Sequence, residues 1–434
     1  MSNKQAQSVN YFGPFLTMVF LFFIVGFLTV VNQQFQNPLK QALLSNAGNI
    51  QNTLATLITF SWFLSYPLTG GIASKLVDKH GYKGAMIRGL MVMVGGLGIF
   101  EASVLLQVYA PSNISFGDVQ IPVAYFIFLL GSYVVGAAVT IMQVVINPYL
   151  VACNVKGTSD VQRQNIGGSA NSIGTTIAPF FVAGIIFGGA AVTSVDKLII
   201  PFIGLMVTIA IVTFIVNKLS LPNIAGTTNE GGDTKNERSV WSFRHLALGV
   251  ASIFFYVGVE VCVGANIVMY AESLGSEYTK IVNFLGQPLA LAAMMASLYW
   301  LGMLIGRLCG SFLSKIDARI QLLFTSVMAT ALIAASMILN NPWLLVAVGL
   351  FHSIMWPAIF SLAVRKLGKY TSAASGVLMI GVLGGGLLPL FQGMLADAMG
   401  SWSWTWLLVI AGELFLVYYA VAGCIPRKQD IVSE

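Results

Sequence analysis

Charge is what this chain has least of. Asp, Glu, Lys and Arg make up 9% of its 434 residues, against 57% hydrophobic ones, and the mean hydropathy is +0.82. A soluble domain carries about 25% charged residues, so this chain cannot clothe a water-facing surface. Metal-site and redox signatures are also missing. The three histidines, His80, His245 and His352, stand far apart, and the four cysteines, Cys153, Cys262, Cys309 and Cys424, form no CxxC pair. They read as small core residues. Nothing matches GxxxxGK[ST], which excludes ATP-driven transport on this chain. The apolar run from Tyr11 is too long for a signal h-region, so no cleavable leader is expected.

What is present is greasy helix. The apolar runs are too long and continuous for barrel strands of about 10 alternating residues. Spans are expected near 11–44, 51–77, 84–108, 121–153, 163–189, 196–217, 242–273, 286–314, 319–339, 342–366, 372–398 and 402–424. With the N-terminus in the cytoplasm, 19 of the 22 basic residues fall on the inner side and only Lys40, Lys197 and Lys280 on the outer. That asymmetry predicts a multi-pass inner-membrane protein with both termini cytoplasmic. It also explains the net charge of +6 without nucleic acid.

The longest polar stretch, "NKLSLPNIAGTTNEGGDTKNERS", lies mid-chain and reads as a cytoplasmic linker. The expected division is an N-terminal six-helix bundle over 1–216, a linker over 217–240 and a C-terminal six-helix bundle over 241–434. The halves echo each other. "GGIASKLVD" (70–78) and "GSFLSKID" (310–317) share G-x3-S-K, while "SIGTTIAPFF" (172–181) and "VLGGGLLPLF" (382–391) share a Gly and a Pro. Two parallel six-helix halves joined by a cytoplasmic loop is the major facilitator layout. The fold class is therefore an all-α membrane protein of 12 transmembrane helices in two bundles, a transporter and not an enzyme.

Polar groups inside a membrane are costly, so they mark candidate function. The first span carries "NQQFQN" at 32–37. The helix is expected to continue past these amides, placing Thr29, Asn32, Gln33 and Gln36 on one face. Amides offer donors and acceptors to sugar hydroxyls. Asn37 suits a wetted helix end. Gln143 and Asn147 share a face of the fourth span, as ligand contacts or as interhelical glue. Glu260 and Asn266 lie deep in the seventh. A carboxylate there needs a partner, a proton or a cation, which makes Glu260 the candidate for ion coupling or a structural acid. Glu101 and Glu413 have no polar neighbours in sequence and rank below it. Asn171, Asn283, Gln287, Trp356 and Gln392 complete the substrate-binding candidates, with Tyr299 and Trp300 as aromatic faces for a sugar. Arg307 and Lys315 read as cytoplasmic gate and loop residues.

The segments "GFLTVVNQQF", "NPYLVACN", "QRQNIGGSANSIGTTIAP", "YVGVEVCVGANIV", "YWLGMLIGRLCGS" and "LGGGLLPLFQGMLAD" resemble the fucose–proton symporter family of the major facilitator superfamily, nearest its glucose/galactose branch. The resemblance runs from about 11 to 424. It implies alternating access and cation-coupled uptake of a monosaccharide by a monomer in the lipid bilayer, with no cofactor beyond a coupling sodium ion or proton. Three positions depart from the family pattern. Gln33 and Gln143 stand where the pattern has acids, and an R-x-N-x-x-Q motif starting at Arg163 and Asn165 ends in Gly168. An amide cannot titrate. Coupling must then move to Glu260, with sodium or a proton, or be absent, leaving an uncoupled facilitator.

Overall fold

The computed structural model describes residues 11–153, 155–158, 160–189, 194–219, 221, 238–310 and 316–432. Most of the expected linker, together with Lys315, lies outside the described residues.

Eleven helical stretches among the described residues are long and apolar enough to cross a membrane. One of them, Gly48–Tyr109, has 62 residues. At 1.5 Å per residue it would be about 93 Å long, three times a bilayer core of about 30 Å. It breaks at Gly81, whose φ of 68° lies in the left-handed region. It therefore supplies two crossings, and the total agrees with the twelve expected. Helices suit this sequence because lipid offers no partner for a free backbone group.

The helices, in chain order, are α1 (Phe12–Gln34), α2 (Gln36–Leu43), α3 (Gln51–Tyr109), α4 (Val123–Ala152), α5 (Asp160–Phe180), α6 (Ile199–Lys218) and α7 (Arg244–Leu274). They continue with α8 (Leu291–Gly310), α9 (Ala318–Leu339), α10 (Trp343–His352), α11 (Met355–Ala363), α12 (Thr371–Leu378), α13 (Gly384–Met399) and α14 (Trp406–Tyr418). α6 shows what the surrounding solvent must be. Ile203, Val207, Ile211 and Phe214 form an exposed apolar stripe along it, which water would penalise and acyl chains would not.

Two antiparallel hairpins depart from the all-helical expectation. β1 (Asn113–Phe116) pairs with β2 (Val119–Pro122), and β3 (Ile281–Phe284) pairs with β4 (Gln287–Ala290). The β3–β4 turn places Leu285 and Gly286 both at positive φ, 53° and 81°, as a two-residue primed turn requires. These hairpins mark one end of the bundle, called here the hairpin face. The opposite, basic face carries Lys83, Arg88, Arg238, Arg319 and Arg365.

α1 packs on α4 and α5, and α3 on α4 and α6; later in the chain, α7 packs on α13, α8 on α10, and α9 on α14. Two seams join the earlier helices to the later ones: α3 against α13, and α5 against α8. The α3–α13 seam is lined by Gly385, Gly386 and Gly393, where a Cβ would strike Phe63, Phe60 and Thr56. The α10–α11 span is interrupted at Ser353 and Ile354. Such a break frees backbone carbonyls inside the membrane, where only protein can satisfy them. α1 and α2, by contrast, run on through Phe35, whose N–H and C=O keep their helical bonds to Val31 and Leu39.

Candidate functional site

The amide segment is inside, as the sequence suggests. The chain stays helical through Phe35, and Asn32, Gln33, Gln34 and Gln36 are all buried. Their partners differ. Asn32 Oδ1 accepts from Ser132 Oγ at 2.8 Å, while its Nδ2 points at the Ile58 carbonyl at 3.5 Å, so Asn32 ties α1 to α3 and α4. Gln36 Nε2 donates to Thr59 Oγ1, and Gln34 Nε2 donates across to the Gly264 carbonyl on α7 at 3.1 Å. Gln33 Oε1 and Gln36 Oε1 are buried with no hydrogen-bond partner among the described residues. A buried acceptor left unpaired costs about 1–3 kcal/mol. These two oxygens are therefore the ones that most need an incoming donor.

Gln143 donates to the Tyr66 hydroxyl at 3.2 Å, and Asn147 lies one turn further on, half-buried. Asn171 donates to the Phe22 carbonyl at 3.0 Å, holding α5 to α1 where Gly26 allows close approach. Asn266 and Gln392, 126 residues apart, meet at full burial. Asn266 Nδ2 donates to Gln392 Oε1 at 2.8 Å, and Gln392 Nε2 donates to Thr405 Oγ1 at 3.2 Å. Asn266 Oδ1 is left without a partner among the described residues. Trp300, whose indole Nε1 is likewise unpartnered, packs over Gly264, next to the carbonyl that Gln34 reaches. Trp356 stands 6.3 Å from the Tyr256 ring.

Asn283 and Gln287 do not join this group. They are exposed on the β3–β4 hairpin, where Asn283 Oδ1 accepts from the Gly286 backbone N–H and closes the turn. The polar residues ahead of α8 build that turn because the span starts later, at Leu291, than the apolar pattern suggests.

A second cluster occupies the later helices. His352 Nε2 lies 2.7 Å from Glu413 Oε1, both side chains fully buried. Its Nδ1 lies 2.8 Å from the Tyr299 hydroxyl, which also reaches the Glu260 carbonyl oxygen at 3.2 Å. His352 ends α10, and its freed carbonyl accepts from the Tyr256 hydroxyl at 3.0 Å. Tyr256 and Arg307 flank the Glu260 carboxylate. Glycines make the approach of α8 and α10 close. A Cβ at Gly349 would strike the Tyr299 backbone, and one at Gly306 would strike Ser353 and the Leu350 carbonyl.

This cluster corrects two expectations. Glu413 does have polar company, supplied from 61 residues away by His352. Arg307, expected as a cytoplasmic gate or loop residue, is helical rather than in a loop, and its contact across the α5–α8 seam keeps the gate reading open. It sits in the last turn of α8, turns inward beside Glu260, and donates to Ser172 Oγ on α5 at 2.6 Å. The available signal was the lone acid in "WLLVIAGELFLVY", which its cost in a membrane makes suspect by itself.

The hairpin face is tied across the same two sets of helices. Asp397 on α13 accepts from the backbone N–H groups of Asn52 and Thr53 at 3.1 and 2.7 Å. It thus caps α3, where free donors and a positive helix end favour an anion. Asn37 donates to Glu272 on α7 at 2.9 Å, and Lys40 to Asn52 at 2.5 Å. Asn37 is therefore a link to α7 as well as a half-buried helix end that lines an open cavity. A cavity of about 440 Å³ opens among these residues. Among the described residues no group of three or more His, Cys, Asp or Glu side chains could hold a metal ion.

A broken, twelve-span helical fold with polar clusters at mid-depth and two seams is the architecture of a membrane transporter. The chain matches the Major Facilitator Superfamily over residues 22–385, and it belongs to that family. Its similarity runs further, to particular transporters. A glucose/galactose transporter of Brucella abortus is 32% identical over 437 residues, covering 98% of this chain and 97% of that one. A putative glucose/galactose transporter of Helicobacter pylori is 31% identical over 393 residues, covering 87% and 88%. Among solved structures, the Escherichia coli fucose:proton symporter superposes with a TM-score of 0.65 at 21% identity, covering 95% of this chain and 99% of that one. The xylose transporter of the same organism, in an inward-open conformation, gives 0.69 at 13% identity, covering 97% and 98%.

Proposed function

We propose that the chain takes up a monosaccharide, glucose or galactose first among the candidates, across the inner membrane by alternating access and cation symport. The observation that carries this reading is the set of unpaired polar atoms, Gln33 Oε1, Gln36 Oε1, Asn266 Oδ1 and Trp300 Nε1, on helices from both halves. Three acceptors and a donor, all uncharged and buried, suit a ligand with several hydroxyls and no charge. The names of the Brucella and Helicobacter relatives support the same substrate class.

The halves move as two units, 1–216 and 241–434, joined by the 217–240 linker, with the basic face cytoplasmic. The coupling cation is taken in the neighbourhood of Glu260. A proton fits this neighbourhood better than sodium, because a sodium ion on Glu260 would sit beside the Arg307 cation. The rival reading is an uncoupled sugar facilitator, favoured by Gln33 and Gln143, neither of which titrates.

The test is uptake of labelled hexoses into proteoliposomes under imposed proton or sodium gradients. Accumulation above the external concentration is expected with a proton gradient. Equilibration that ignores both gradients would establish the facilitator, and no hexose movement at all would refute the sugar reading.

A further inference from the structure

The geometry points to the His352–Glu413 pair as the site that carries the transported proton. This inference rests on the proton-symport reading and locates the proton within it.

The argument begins with charge. The groups that face His352 are Glu413 from α14, Tyr299 from α8 and Tyr256 from α7, with Glu260 and Arg307 behind the two phenols. Phenols are ordinarily neutral. Among the described residues Glu413 has one ion-pair partner, His352, and both side chains are fully buried. With the imidazole neutral, an ionised Glu413 is an uncompensated charge in a low-dielectric interior, and one added proton brings the pair to zero. Among the described residues that carboxylate has His352 as its single hydrogen-bond partner, and its Oε2 is buried with none.

Two arrangements of the pair follow. Without the extra proton, Tyr299 donates to Nδ1, and Nε2–H donates to the Glu413 carboxylate. With it, the pair is imidazolium and carboxylate, or neutral imidazole and carboxylic acid. In the imidazolium form Nδ1 carries a hydrogen, and Tyr299 must accept where it had donated. The proton enters from water on one face, forms an N–H or O–H bond within the pair, and leaves to water on the other. No electron moves and no other group is consumed.

Tyr299 is well placed to pass this change on. The same helix, α8, carries Trp300, whose carbonyl accepts from Thr176 at 3.1 Å, and Arg307, which donates to Ser172. Both contacts cross the α5–α8 seam. His352 itself sits at the break between α10 and α11, where a hinge can absorb the motion. Protonation of the pair thus acts on the seam that must open and close.

The test compares wild-type protein with Glu413→Gln and His352→Asn in proteoliposomes, reading hexose counterflow and pH-gradient-driven accumulation separately. Wild type should show both. The variants should keep measurable counterflow while their accumulation falls to equilibration, and the sugar-evoked alkalinisation of the medium should disappear. Variants that accumulate sugar as wild type does would overturn the assignment and leave the transport reading standing. Wild type that accumulates sugar only with sodium would overturn it too. Wild type that moves no hexose in either assay would remove the sugar reading itself. Should the variants fail to fold, wild-type affinity for the sugar measured from about pH 5 to about pH 9 decides the point. Affinity that changes across that range, with proton uptake on sugar binding, supports the site, and pH-independent affinity without proton uptake overturns it.

Discussion

The first-half helices and the second-half helices solve the problem of polarity in lipid differently. The face of α1 and α2 uses amides: Asn32, Gln33, Gln34 and Gln36, all buried and none able to titrate. The core of α7, α8, α10 and α14 uses charge: Glu260, Arg307, His352 and Glu413, tied through Tyr256 and Tyr299. Amides give a neutral hydrogen-bonding surface whose strength does not change with pH. The charged core is built from side chains of titratable type. On the reading proposed above, energy coupling belongs to that core, while sugar recognition joins the amide face to Asn266 and Trp300 of the later helices.

Substitutions can break that division, and their expected effects fall in order. Arg307→Ala should do most. It removes the charge-assisted hydrogen bond to Ser172 across the α5–α8 seam, a contact worth about 1.5–3 kcal/mol. Accumulation should vanish and the melting temperature should drop, both readable on purified protein. Gln33→Ala and Gln36→Ala come next. Each removes one acceptor for a sugar hydroxyl, so hexose affinity should fall roughly tenfold, about 1.4 kcal/mol; Gln36→Ala should also lower the melting temperature, because it takes the donor from the buried Thr59 hydroxyl. Unchanged affinity would place the sugar elsewhere. Asp397→Ala strips the cap from α3 and a tie across the hairpin face, a cost of about 1 kcal/mol. Its expected result is faster labelling of a cysteine placed at Ser401, at the mouth of the 440 Å³ cavity. Asn283→Ala and Gln287→Ala should do least. Both residues are exposed on the hairpin, so uptake should stay within about twofold of wild type, in keeping with a surface substitution of about 0.5 kcal/mol or less.

The spans were legible because hydropathy is a one-dimensional signal and lipid leaves the backbone no choice but helix. The continuation of the first span past its amides was legible for the same reason, since Leu39 and Leu43 resume the buried pattern beyond them. What could not be read were partnerships across the sequence. Asn266 with Gln392, and His352 with Tyr299 and Glu413, join residues more than fifty positions apart, and no periodicity encodes which faces meet. Arg307 misled because a basic residue near a helix end usually marks the water interface. Here the Gly306 contact with α10 and the Ser172 hydroxyl draw the end of α8 inward. Asn283 and Gln287 misled because a hairpin turn and a polar helix start use the same residue types.

The most direct test of the division is one titration, hexose binding to purified protein across pH, run on wild type, Gln33→Ala and Glu413→Gln. The account predicts that Gln33→Ala binds about tenfold more weakly but keeps the wild-type pH dependence, while Glu413→Gln binds well and loses that dependence. A Glu413→Gln protein with the wild-type pH profile, or a Gln33→Ala protein with wild-type affinity, would contradict it.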